Sequence, residues 1–284
     1  MGIHAKEVEA GERFEFGRNW ARFLSTLTES QIENATESLR VMLGCDRSPT
    51  KLAAYKPLEG RSFIDVGSGS GLFSLAARRL GAGVHSFDYD PHSVGCTKEL
   101  RRRYFPDDPQ WVVEEGSALD PAYLASLGRF DVVYSWGVLH HTGSMWEALG
   151  NVAPLVAPGG QLVIAIYNDQ GTPSHRWKTV KRLYNRTPPA LRFLISFPVF
   201  VKQYWRPIVK DFLLLRPFHC IRNYDKRRGM TAWSDLVDWV GGYPFEVAKP
   251  AELFDFYRVR GFQLERLVTC GGTLGCNELV FRKS

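Results

Sequence analysis

Three glycines at alternate positions, Gly67, Gly69 and Gly71, sit in the stretch FIDVGSGSGLFSL (63–75), between an apolar run and a helical pattern. A turn of this kind presents backbone N–H groups and the positive end of a helix to a ligand. The dinucleotide fingerprint G-x-G-x-x-G is not met, since its third glycine would fall on Leu72 or Ser74. Asp65, two residues before the first glycine, would repel a pyrophosphate but could hold an ammonium group. Asp88 ends the next apolar run, where a carboxylate can accept hydrogen bonds from both ribose hydroxyls. His140 and His141 follow the apolar run FDVVYS, and histidine is the usual base for a reaction near neutrality. Asp169, in YNDQ, is a second candidate for orienting a base or an acceptor.

The ligand implied by the glycines and the two aspartates has an ammonium, a ribose and no phosphate. S-adenosylmethionine fits that description. The competing readings are tight packing of a turn for the glycines and a helix cap for Asp88.

These residues need a scaffold. Short, nearly continuous apolar runs at SFIDV (62–66), VHSFD (84–88), WVVE (111–114), FDVVYS (130–135) and QLVIAIY (161–167) read as strands buried on both faces. Helical stretches at 72–81, 91–105, 121–128 and 144–156 separate them, which predicts a doubly wound parallel α/β sheet. A further helix over 250–261 precedes strands at 262–270 and 277–283, and the short turn between those two makes them an antiparallel hairpin. The fold class expected is therefore Rossmann-like, seven-stranded, with an antiparallel C-terminal hairpin. Residues 19–44 look helical, Thr28 and Gln31 have capping-box spacing, and Ser48-Pro49 could start another short helix. The organisation expected is an N-terminal helical lid (1–59), a core (60–168), a helical basic insertion after strand five (169–246) and a completing helix and hairpin (247–284).

In these motifs the chain resembles the class I S-adenosylmethionine-dependent methyltransferases, particularly the group of ubiquinone-biosynthesis-type small-molecule enzymes. FIDVGSGSG is similar to that family's first motif, HSFDYD to its acidic second-strand end, EEGSALD to its adenine segment, FDVVYSWGVLHHT to its fourth-strand motif and VAPGGQLVIAI to the turn and strand that follow. The resemblance implies that Asp65, Gly67, Ser68 and Gly69 surround the methionine part of the donor. It places Asp88 on the ribose, Tyr89 on adenine, Ser117 and Ala118 at the adenine edge, and Ser135 and Trp136 near the sulfonium. Many relatives carry aspartate where this chain has Ser117. The N-terminal helices of similar enzymes cover the donor, which nominates Phe16, Asn19 and Trp20 as lid residues.

Composition narrows the partners. At 284 residues and 44% hydrophobic, the chain builds one large core, and its charged N-terminus and lack of a long apolar run predict a cytoplasmic protein. The five cysteines contain no C-x-x-C pair, so no zinc site or disulfide framework is expected. Between Gln170 and Ala232 lie fourteen Lys or Arg against Asp211 and Asp225, so this segment carries +12 and the rest of the +6 chain carries −6. That asymmetry admits an anionic acceptor, a lipid headgroup or nucleic acid, with a merely solvated helical face as the plain alternative. Within it, LRFLISFPVFVKQYW (191–205) is too short and charged to span a bilayer but could lie on one. Asp235, Asp238, Trp239 and Tyr243, in MTAWSDLVDWVGGYPFE (230–246), either face the acceptor or only cap and pack. The expected activity is methyl transfer to oxygen or nitrogen of a small organic acceptor. An RNA-modifying methyltransferase and a non-catalytic donor-binding protein are the rivals, and an N/D-P-P-Y/F signature that would favour the former is absent after strand four.

Overall fold

The computed structural model describes residues 2–45, 56–222 and 232–284. Seven strands form one sheet in the order β3-β2-β1-β4-β5-β7-β6: β1 (Ser62–Val66), β2 (Gly83–Asp88), β3 (Trp111–Glu115), β4 (Phe130–Trp136), β5 (Val156–Tyr167), β6 (Phe262–Val268) and β7 (Cys276–Lys283). The first five pair in parallel and β7 runs antiparallel between β5 and β6, which is the expected architecture.

The central strands β1, β4 and β5 bury both faces because helices cover both, whereas the edge strands β3 and β6 leave residues exposed. On one side lie α3 (Glu29–Met42), α4 (Leu72–Arg79) and α5 (Pro91–Tyr104), whose Ile32, Leu39, Leu75 and Leu100 join Phe63, Val132 and Trp111 in one core. On the other lie α6 (Pro121–Ser126), α7 (Met145–Val152) and the last helix (Pro250–Arg258), packing Leu124, Leu149 and Tyr257 onto Ile64, Val133 and Ile164. Chain order runs outward from β1 to β3 and then back across β1 to β4. The sheet's switch point therefore lies between the ends of β1 and β4, where open α/β sheets bind ligands.

The helical stretch expected over 19–44 forms as two helices, α2 (Gly17–Thr26) and α3, preceded by α1 (Ile3–Glu9). The break falls at Thr28 because its hydroxyl and the Gln31 side chain complete a reciprocal capping box, which starts a new helix. The short helix expected at Ser48-Pro49 lies outside the described residues. After β5 the chain forms α8 (Thr172–Arg186), α9 (Phe193–Leu213), α10 (His219–Arg222) and α11 (Ala232–Gly241) before the last helix, α12 (Pro250–Arg258). Phe14, Tyr184, Leu236 and Val240 make a third, smaller core that joins the N-terminal segment to α8 and α11, with Val199 and Phe200 of α9 packed against it.

Candidate functional site

The glycine turn leaves β1 at the switch point. Gly67 has a φ of 80°, and a β-carbon there would come within 2.3 Å of Val138 Cγ1, so only glycine lets the loop after β4 close on the turn. Gly69, at a φ of 54°, lies under the Trp20 indole, whose Nε1 would be 3.1 Å from an added β-carbon. The amides of this turn are already committed: Gly67 and Ser68 donate to the Phe87 carbonyl, Gly69 to the Asp88 carboxylate and Gly71 to the Ser68 carbonyl. A phosphate would need those N–H groups. The turn is built instead to shape a concave floor.

That floor opens into a cavity of about 790 Å³, within the range of roughly 300–1,000 Å³ of small-molecule sites. Asp65 lines it, almost wholly buried at 3% exposure, and burial pushes its carboxyl up to about 7, with the neighbouring Asp88 charge adding to the rise. Its Oδ2 accepts the Ser74 hydroxyl at 2.5 Å. Ser74 in turn accepts from Ser86 at 2.8 Å, and Ser86 from the Trp111 indole N–H at 3.0 Å. This buried relay spans α4, β2 and β3 and fixes the carboxylate's position. Asp88, also lining the cavity, accepts the amides of Gly69 and Asp90, and burial raises its carboxyl to about 6. Among the described residues no basic side chain bonds the buried Asp65 or the partly buried Asp88, so the site is short of positive charge and of hydrogen-bond donors. An ammonium beside Asp65 would supply the charge and a diol beside Asp88 the donors, so these residues fit S-adenosylmethionine. When bound, that donor supplies an electrophilic methyl on a sulfonium; the chain's own task is to hold and shield it.

Of the residues expected at the donor, Asp65, Gly67, Ser68, Gly69, Asp88, Tyr89, Ser117, Ala118, Trp136 and Trp20 all line the cavity. Ser117 Oγ accepts the Leu119 amide and so turns the β3 end back toward the site. Trp136, 42% exposed, stands at the β4 end with its N–H on Glu278. Ser135 does not reach the cavity. It is fully buried and donates its hydroxyl to the Val66 carbonyl, tying β4 to β1 beneath the turn, because alternate strand residues face opposite sides.

The two histidines separate in the same way. Both lie on the short turn 139–141 that follows β4. His141 lines the cavity; its Nδ1 meets the Pro244 carbonyl at 2.6 Å, and since a carbonyl can only accept, Nδ1 carries the proton and Nε2 the lone pair. Burial holds its pKa down to about 3, so it is neutral throughout the working pH range. His140 is completely buried on the other side, packed on Tyr167 with ring centroids 4.1 Å apart and accepting the Tyr167 amide, and it does not line the cavity. Nor does Asp169, whose Oδ1 accepts the Gly171 amide and shapes the loop into α8.

Sequence reasoning expected a lid from the N-terminal helices but did not single out three of the residues that face the site. His4, Glu7 and Arg13 line the cavity from α1 and the turn after it. Arg13 pairs with Glu7 at 2.7 Å, donates to the His141 carbonyl at 2.9 Å and lies over the Tyr89 ring at 4.8 Å. Asp90 accepts the Gly17 amide at 2.8 Å and so anchors the start of α2. Phe16 and Trp20 line the cavity as the lid reading expected, whereas Asn19 bonds Asp238 of α11. Asp235 of the same helix reaches the cavity; Asp238 does not line it and is pushed up to about 8 by burial beside Asp235. No local periodicity could have marked Arg13, whose contacts in the site, the His141 carbonyl and the Tyr89 ring, come from far along the chain.

Comparison with known proteins agrees with the geometry. The methyltransferase-domain family matches residues 39–200. Among curated relatives, a tRNA U34 carboxymethyltransferase of Methylococcus capsulatus is 37% identical over 39% of this chain and 33% of its own length, and one of Klebsiella pneumoniae is 33% identical over 45% and 39%. The chain thus spans little more than a third of the relatives it matches. A solved magnesium protoporphyrin IX methyltransferase of Synechocystis is 14% identical across the whole chain and 89% of its own, with a TM-score of 0.49, a level at which likeness says nothing about chemistry. With a match over more than half its length, this chain belongs to the methyltransferase-domain family.

Proposed function

We propose that this protein transfers the methyl group of S-adenosylmethionine to an oxygen or nitrogen of a small organic acceptor held between the β4 end and the N-terminal strap. One observation carries the reading: the cavity lined by the carboxylates of Asp65 and Asp88 is lined also by Phe14, Phe16, Val138 and His141. Methyl transfer from a sulfonium is an in-line displacement, so its rate depends on alignment and on keeping water out. Trp20 over Gly69 and Arg13 across His141 and Tyr89 support a covering role for residues 1–59.

His141 is the residue we assign to the acceptor. With Nδ1 bound to Pro244, its Nε2 can accept a hydrogen bond from a hydroxyl or amine and orient the attacking lone pair. A nitrogen held to about 3 is a weak base. Its role is therefore to align the acceptor, with the proton leaving to solvent or a more basic group as the bond forms. His140 and Asp169 support the site from behind.

A reading in which RNA is the acceptor rests on the relatives named as tRNA U34 carboxymethyltransferases and on the basic segment after β5. Both are tested by one experiment. Protein incubated with methyl-labelled S-adenosylmethionine and a host-cell extract should label a compound in the low-mass fraction, identified by mass. Label confined to a polymer that ribonuclease destroys would replace the small-molecule reading with the RNA one, and donor binding without any labelled product would leave a non-catalytic donor-binding protein.

A further inference from the structure

Helix α9 carries three parallel rows, each with four-residue spacing and each displaced by one residue. Ser196, Phe200 and Tyr204 form the inner row, with Ser196 and Tyr204 buried and Phe200 packed on the small core that joins α8 to α11. The next row runs Phe193, Phe197, Val201, Trp205 and Val209 and is continued by Phe212; these side chains are between 45% and 57% exposed. The third row is Lys202, Arg206 and Lys210, none of which forms an ion pair among the described residues. Soluble monomers rarely leave an apolar patch of this length open, so the face has a partner.

We propose that this partner is the surface of an anionic phospholipid bilayer. The aromatic and branched row enters the acyl boundary and the basic row rests on the headgroup phosphates. Charge decides between occupants. A second copy packing the same faces together would bring two segments of +12 against each other. RNA would pair with the basic row but gain nothing from Val201, Val209 or Phe197, since nucleic-acid interfaces are more polar than this. A bilayer with negative headgroups satisfies both rows at once, which is the design of a helix lying in the membrane interface. No helix among the described residues is long and apolar enough to cross a membrane, so the contact is peripheral. α9 packs on α11, whose Asp235 lines the donor cavity, so a seated α9 holds the site one helix away from the lipid surface.

The test is flotation of the full chain with vesicles of phosphatidylcholine alone or mixed with phosphatidylglycerol. The protein should float with the mixed vesicles at low salt, weaken as salt rises and stay behind with phosphatidylcholine alone. Each basic residue at an anionic surface contributes roughly a fivefold gain in partitioning, so the triple variant K202Q/R206Q/K210Q should lose about a hundredfold. The double variant Phe197→Ser, Trp205→Ser should also abolish flotation. Neither variant should change S-adenosylmethionine affinity, because none of these residues lines the donor cavity; that measurement also certifies the fold. Four results would overturn the proposal: no flotation with mixed vesicles; equal flotation of the Phe197, Trp205 variant; a solution dimer that this variant dissolves; or tighter binding to tRNA than to vesicles. The first three leave the methyl-transfer reading untouched, and the fourth would favour RNA as its acceptor.

Discussion

Replacing Asp65 by asparagine should strengthen the fold and weaken the site. The unliganded protein holds the Asp65 carboxyl in a buried position that raises it from its ordinary value to about 7. The unfolded chain releases that proton near pH 4, so between about pH 4 and pH 7 the folded state binds more protons than the unfolded one. Stability contributed by the neutral carboxyl is therefore complete below pH 4 and lost as pH rises through 7. At about 1.4 kcal/mol per pKa unit, Asp65 lowers stability by about 4 kcal/mol at pH 8 and by about 1.5 kcal/mol at pH 5. Asparagine has the same shape, keeps an oxygen for the Ser74 hydroxyl and carries no charge. Urea denaturation at pH 5, 6, 7 and 8 should show Asp65→Asn more stable than the parent by a margin that widens with pH up to about 7. Calorimetric titration with S-adenosylmethionine should show the reverse, a loss of roughly ten- to a hundredfold from the removed charged contact, worth about 1.5–3 kcal/mol. Parent affinity should also fall below pH 7, while the variant's changes less. A variant less stable at every pH, or one with unaltered donor affinity, would refute the reasoning.

Other groups give sharper local tests. Gly67→Ala should cost both stability and donor affinity through the contact with Val138, and Val138→Ala should restore part of each; equal loss in single and double variants would contradict the steric account. His141→Ala should lower turnover tenfold or more with donor affinity unchanged, and the parent's pH–rate profile at saturating donor should lack a limb near 6.5, because burial keeps this imidazole neutral; a limb there that disappears in the variant would contradict the neutral assignment. Lys181 is fully buried, donates to the Trp239 carbonyl and is pushed down to about 7 by burial. The unfolded chain therefore binds more protons between pH 7 and 10.5, and parent stability should gain about 1.4 kcal/mol per pH unit on Lys181→Met across that window; a constant difference would place the lysine's proton elsewhere.

The sheet was legible because its central strands are buried on both faces and read as continuous apolar runs, and because the turns between the strands carry glycine, proline and aspartate at fixed places. The cavity floor was legible for a related reason: Asp65, Gly67, Gly69 and Asp88, which line it, stand at or just past strand ends, where position in sequence determines position in space. His140 and His141 show where this stops. They are adjacent in sequence, yet a tight turn sends one into the cavity and the other behind it, and no periodicity announces which. α9 shows the same limit on a larger scale. Its rows through Phe200 and through Phe197 are both apolar at helical spacing, so sequence shows an amphipathic segment but not which row packs inward. The inner row is settled by the third core, built from Phe14, Tyr184 and Leu236, residues brought together from the N-terminal segment and from α8 and α11.

That long-range assembly also links the cavity floor to the N-terminal strap. Asp90, two residues beyond Asp88, accepts the amide at the start of α2, and Trp20 from the same helix rests on Gly69. Arg13 contacts both Tyr89, next to Asp88, and the carbonyl of His141, the residue we propose aligns the acceptor. Filling the carboxylate floor therefore reinforces the elements that exclude water, and excluding water strengthens the charge interactions on the floor. A donor analogue lacking the ammonium should bind more weakly and also leave the strap's amides exchanging faster than the full donor does. Hydrogen exchange over residues 3–26 reads this directly. Protection there that ignores the ammonium would separate floor from strap and leave the N-terminal segment as packing alone.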